Sequence, residues 1–180
     1  MDQIDFQNGE GPDLIFIGAK DAALRLLAYR ARSAAEVRRR LSRRYPPDVV
    51  EKVVESLRET GHLNDQSFTR FWVQNREQHR PRSQRLLRQE LLRLGVSGDV
   101  IRETLEDFDE ETNAYQAGRK VGQKLASRND SEEKFRQRLW DYLKRRGFDH
   151  AVTAETVNQL WRELGTDSLH RQDHAQNDEE

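Results

Sequence analysis

The chain has 180 residues, 34% hydrophobic and 35% charged, with no cysteine, a formal net charge of −1 and a mean hydropathy of −1.02. The lack of thiols excludes disulfides and cysteine-type zinc sites, and an apolar share below the roughly 45–50% of a typical globular domain points to thin helical layers. Leu14–Ile17 is far shorter than the roughly 20 residues of a membrane span, and no basic-then-apolar leader precedes it, so a cytoplasmic protein without membrane contact is expected.

In chain order, residues 1–18 read as a poorly ordered segment in which Leu14–Ile17 can dock as a short extended stretch. A first repeat over 19–63 begins with a weak helix carrying Ala22, Ala23, Leu26 and Leu27 on one face. Its second helix opens on a capping box, Ser33 with Glu36, and bears Val37 and Leu41. Its third follows Pro46-Pro47-Asp48 and lines up Val49, Val50, Val53, Val54 and Leu57 at helical spacing. Gly61-His62-Leu63 closes the repeat.

A second repeat over 64–110 enters through Asn64-Asp65 with Phe68, Phe71 and Trp72, continues with Leu87 and Leu91, and ends with Ser97, Val100, Ile101, Leu105 and Phe108. A third, over 111–165, has Ala117, Gly118, Val121 and Leu125, whose small residues suit close helix approach. Phe135, Leu139 and Leu143 follow, then Asp149 as a cap and Val152, Val157, Leu160, Trp161 and Leu164. Residues 166–180 read as a disordered acidic tail.

The repetition is visible in register. Tyr45, Val96 and Phe148 lie 51 and 52 residues apart, and Val49/Val100/Val152, Val54/Leu105/Val157 and Leu57/Phe108/Leu160 keep step with them. Gly95 and Gly147 sit where the second and third repeats need a left-handed turn. The first repeat is one residue shorter there, Arg44-Tyr45 before two prolines, so its turn should differ. The fold expected is all-α, with three tandem three-helix, helix-turn-helix-like repeats stacked into an elongated array that can curve. Repeats of roughly 50 residues are marginal alone and lean on their neighbours.

The inventory for catalysis is empty. No nucleophile elbow or glycine-rich phosphate loop occurs, and neither cofactor nor metal is expected. His170 and His174 are one helical turn apart but sit in the polar tail. His62, His79 and His150 fall at helix ends, Glu110-Glu111 and Glu132-Glu133 at helix starts, and Trp72, Trp140 and Trp161 on or beside apolar faces.

The near-zero net charge conceals segregation. The third helices are acidic, with Glu51, Glu55 and Glu59 in the first repeat and Glu103, Glu106, Asp107 and Asp109 in the second. Phosphates would be repelled there, which argues against the major-groove reading that helix-turn-helix proteins make with their last helix. The cations gather on and around the second helices: Arg38, Arg39, Arg40, Arg43 and Arg44; Arg82, Arg85, Arg88 and Arg93; Lys144, Arg145 and Arg146. For any single arginine, solvation or pairing with a neighbouring acid suffices. A basic second helix in all three repeats favours sequence-independent contact with a polyanion or an acidic protein surface.

Arg32-Ser33-Ala34-Ala35-Glu36-Val37, Gly61-His62-Leu63-Asn64-Asp65, Gln89-Glu90-Leu91 with Gly95-Val96, and Leu143-Lys144-Arg145-Arg146-Gly147-Phe148, in that order, resemble the RecX family over residues 19–164. Two positions depart from the family pattern: no glycine precedes Tyr45, and Ser83 stands where a glycine is usual. The resemblance implies tandem three-helix repeats and a negative regulator of the RecA recombinase. Such a protein binds the RecA–DNA filament, within its groove, and limits recombinase, ATPase and co-protease activity in DNA repair and the SOS response. The implied partners are the RecA filament and, independently of sequence, DNA, with the chain itself a monomer. The alternative is a helix-turn-helix transcription regulator. The resemblance supplies no site residues, so the twelve cations above rest on charge alone.

Overall fold

A computed structural model describes residues 11–128 and 131–165. Among them are nine helices and no strand: α1 (Pro12–Tyr29), α2 (Ala34–Leu41), α3 (Pro47–Glu59), α4 (Asp65–His79), α5 (Gln84–Arg93), α6 (Gly98–Thr104), α7 (Glu110–Ala126), α8 (Glu132–Arg145) and α9 (His150–Leu164). The expectations for residues 1–10 and 166–180, including His170 and His174, fall outside the described residues. Leu14–Ile17 is not extended. It belongs to α1, which Pro12 at its first position and Asp13 in its first turn start well before the apolar face that begins at Ala22.

The contacts gather into two compact units. Of the described residues, one unit comprises 11–71 with Glu90–Thr104, the other Trp72–Gln89 with 105–128 and 131–165. Period and contacts therefore divide the chain differently, since α4 and α5 of the middle repeat each contribute to both units. In the first unit α1 packs on α2 and α3 around Ala19, Ala23, Val37, Leu41, Val50, Val53, Val54 and Leu57. In the second, α7 packs on α8 and α9 around Ala114, Ala117, Phe135, Leu139, Leu143, Val157 and Leu160. The small residues of α7 permit this approach. A methyl on Gly118 would lie 2.7 Å from Leu160 Cδ1.

Each second helix starts on a serine: Ser33, Ser83 and Ser131. Ser33 forms the capping box with Glu36, its Oγ accepting the Glu36 N–H at 3.1 Å while Glu36 Oε2 accepts the Ser33 N–H at 3.2 Å. Ser83, where the resemblance implies a glycine, takes a capping role, its Oγ accepting the Leu86 N–H at 3.2 Å. Asp149 caps α9 through the Val152 N–H at 2.8 Å. Pro46 precedes α3 with no side-chain cap, Pro47 occupying the first turn instead.

The ends of α5 and α8 are closed by Schellman turns. Val96 and Gly95 donate to Leu91 and Leu92 carbonyls, and Phe148 and Gly147 to those of Leu143 and Lys144, with Gly95 at φ +81° and Gly147 at φ +89°. These same glycines meet the start of the preceding repeat's second helix. In the first unit Gly95 lies against Ala35, and Ser33 Oγ donates to Leu94 O at 2.5 Å. In the second unit Gly147 lies against Ser83 and Leu86, and the Ser83 N–H donates to Arg146 O at 3.0 Å. The turn after α2 differs as its shorter sequence requires: Arg44 and Tyr45 both donate to Leu41 O, with no glycine in the turn.

The third helix of the middle repeat is shorter than its apolar pattern indicated. α6 stops at Thr104, leaving Leu105 buried and Phe108 half-buried in the turn beyond it. Glu106 and Asp107 immediately downstream oppose the negative end of a helix dipole, which disfavours another turn.

Candidate polyanion-binding surface

The structure sorts the twelve cations by what holds them. Arg38 is committed to its own repeat, with Nε donating to both carboxylate oxygens of Glu51 on α3 at 2.9 and 3.0 Å. Lys144 Nζ donates to Phe148 O at 3.1 Å. Arg146 is half-buried over the Tyr142 ring, with a contact to Pro81 O at 3.4 Å. Arg82 is half-buried, and its carbonyl accepts from Asn113 Nδ2 at 2.7 Å. Arg85 is exposed, and its charge is felt by Glu110. Arg39, Arg40, Arg43, Arg44, Arg88, Arg93 and Arg145 are exposed, with no hydrogen bond or ion pair among the described residues.

Three of these free arginines come together. Arg40, Arg43 and Arg44, from the end of α2 and the turn after it, line a groove of about 570 Å³ with Arg25 and Tyr29 of α1 and with Arg32. Five arginines and no acid line it. Arg25 is exposed and unpaired, and Tyr29 is 84% exposed. Arg32 is tied down, its Nε donating to Leu26 O at 3.2 Å and its guanidinium 3.9 Å from Glu36.

Arg25 and Tyr29 were missed by sequence because α1 was read for its apolar face. Their signal is the spacing Ala22, Arg25, Leu26, Tyr29, which places them on one side of a helix that also faces the arginines of α2. The wall carrying those arginines is pinned by the buried Glu36. Burial pushes its carboxyl up, but the hydrogen bonds from Arg30, at 2.6 Å, and the Ser33 N–H, with the charges of Arg30 and Arg32, hold it below the ordinary value.

Glu110 is different. Burial and the charge of Asp149 push its pKa up, against weaker opposing help from Gln84 and Arg85. The aromatics and histidines play local parts: Trp161 packs on Phe135, Trp140 meets His150 edge-on, and Arg76 lies over Trp72. No cluster of potential metal ligands occurs among the described residues, and no described helix is long and apolar enough to cross a membrane.

Three family models match in order: the first three-helix domain of RecX at residues 19–57, the second at 64–105 and the third at 109–156. The chain is 34% identical over 146 residues to the regulatory protein RecX of Mycolicibacterium smegmatis, covering 78% of each. It is 32% identical over 145 residues to that of Chlorobium phaeobacteroides, covering 80% of this chain and 94% of the other. The crystal structure of RecX from Lactobacillus salivarius superposes with a TM-score of 0.70 at 19% identity, over 82% of this chain and 97% of that one. Three ordered domain matches, relatives above 30% identity along most of their length, and the same helical fold agree: the chain belongs to the RecX family of regulatory proteins.

Proposed function

We propose that this protein is a negative regulator of RecA that binds the RecA–DNA filament and limits its ATPase, recombinase and co-protease activities. Family membership supports regulation of RecA. The observation that carries the filament reading is the set of unpaired arginines on and beside the second helices, Arg39, Arg40, Arg43 and Arg44, then Arg88 and Arg93, then Arg145. A filament of protein on nucleic acid offers a repeating polyanion, and many separate cations suit it better than one compact pocket. The helix-turn-helix transcription reading has the charge against it. The last helix of the first repeat presents Glu51, bound to Arg38, and Glu55, paired with Arg58 at 3.8 Å.

The test is ATP hydrolysis by RecA on single-stranded DNA with the protein added below stoichiometry. The reading predicts a fall in rate that charge reversal at Arg39, Arg40, Arg43 and Arg44 relieves. An unchanged rate with the native protein overturns it.

A further inference from the structure

The turn after α2 differs from its counterparts in what covers it. In the second and third repeats the equivalent turn carries Gly95 or Gly147 and is covered by the start of the preceding repeat's second helix. Among the described residues, no helix start is hydrogen-bonded to the backbone of the corresponding turn of the first repeat. There the glycine position is Arg44, with Arg43 before it, and both side chains are exposed and unpaired. A surface that elsewhere receives a helix is here lined with cations.

We infer that the α1–α2 groove of the first repeat holds the sugar-phosphate backbone of a single nucleic-acid strand, with Tyr29 as a stacking face for a base. This rests on the filament reading and deepens it by naming the DNA strand as the direct ligand of this surface. Arg25 on one wall and Arg40, Arg43 and Arg44 on the other supply four unpaired guanidinium groups, which bind phosphate through paired N–H donors.

Tyr29 favours a strand over an acidic peptide. A tyrosine 84% exposed at the rim of an arginine groove offers a carboxylate only its hydroxyl, while it offers a base its whole flat face. Tyr29 also separates one strand from two, because the base faces of a duplex are already stacked on one another and only an unpaired strand offers one. A second copy of this chain is disfavoured because Arg44 occupies the place where a docked helix start requires glycine.

The test is fluorescence anisotropy of the full chain with labelled oligothymidylate and with an abasic strand of equal length, across a salt series. Removing two phosphate contacts by Arg43→Ala with Arg44→Ala should weaken binding and flatten the log–log salt slope by about 1.4, at ~0.7 per single-strand contact. Tyr29→Ala should weaken oligothymidylate binding about 5- to 150-fold and leave the abasic strand unaffected. Lys124→Ala at the end of α7 with Arg128→Ala in the turn beyond it, both exposed, serves as the charge-matched control and should change neither. Circular dichroism verifies that each variant keeps its helix content.

An unchanged salt slope in the arginine variant overturns the inference. So does displacement by polyglutamate with Tyr29→Ala silent, which makes the occupant an acidic peptide. Sedimentation showing a dimer that the arginine variant dissolves makes it a second copy. RecA ATP hydrolysis measured in parallel separates the two levels. Inhibition by the native chain without site-dependent DNA binding sinks only this inference, while site-dependent binding without inhibition sinks the filament reading.

Discussion

Gly95→Ala tests the joint between the first two repeats. Two costs combine. Gly95 has φ +81°, and placing an L side chain in the left-handed region costs about 1–2 kcal/mol, of which up to ~1 is returned by the less flexible unfolded chain. The new methyl would also overlap the Cβ of Ala35, with the Ala35 backbone 3.8 Å away. Neither is the tip of a flexible side chain, so α2 and the turn after α5 must separate, an overpacking cost of about 1–3 kcal/mol. The expected total is about 2–4 kcal/mol. Gly61→Ala is the internal control, because Gly61 has φ +71° but nothing within 4 Å of where its methyl would sit, so only about 1 kcal/mol is expected. Equilibrium urea denaturation followed by helical circular dichroism gives both values. Ala35→Gly in the Gly95→Ala background should recover the packing part, a coupling of about 1–3 kcal/mol. If Gly95→Ala costs no more than Gly61→Ala, or Ala35→Gly recovers nothing, the close approach is not what the glycine serves.

Glu36→Gln probes the buried acid beside the groove. Its folded pKa lies below the unfolded one, so its stabilisation is complete above the usual glutamate range and is lost as pH falls through the folded value. The native urea midpoint should therefore drop more steeply than the variant's as the solution is acidified, and parallel curves would contradict this. Asp149→Ala removes the acceptor of the Val152 N–H and should cost about 0.5–2 kcal/mol in thermal unfolding, whereas Asp149→Asn keeps the cap. By removing a charge, Asp149→Asn should also lower the Glu110 pKa in a carboxyl-carbon NMR titration. Arg38→Ala breaks the Glu51 pair, worth about 0–1 kcal/mol, and should change stability more than RecA inhibition. Arg39→Ala should leave the urea midpoint where it is.

The 51–52-residue period placed the helices because buried Val, Leu and Phe recur where each helix faces its neighbours. Capping chemistry located starts well, at Ser33 and Asp149, because a cap is a local interaction. It failed where a short apolar run dominated. Leu14–Ile17 looked extended, and Leu105 and Phe108 looked helical although they lie beyond the end of α6. The site was legible only as a tally of charge. Whether an arginine is free depends on acids or carbonyls distant in sequence, as Arg38 with Glu51 and Arg146 with Pro81 illustrate. Arg25 and Tyr29 joined the groove only when α1 was laid beside α2.

The hydroxyl of Ser33 serves two masters, accepting from its own helix at Glu36 and donating to Leu94 across the joint. One proton and its lone pairs thus tie the first turn of α2 to the last turn of α5. Folding of the first repeat is therefore coupled to that of the second through the start of α2, as nearest-neighbour cooperativity in a linear array requires. A chain cut after Leu63 would keep its apolar core yet lose the acceptor at Leu94 and the methyl-against-glycine contact of Ala35. Its second helix should fray from the amino end, the one that carries no free arginine.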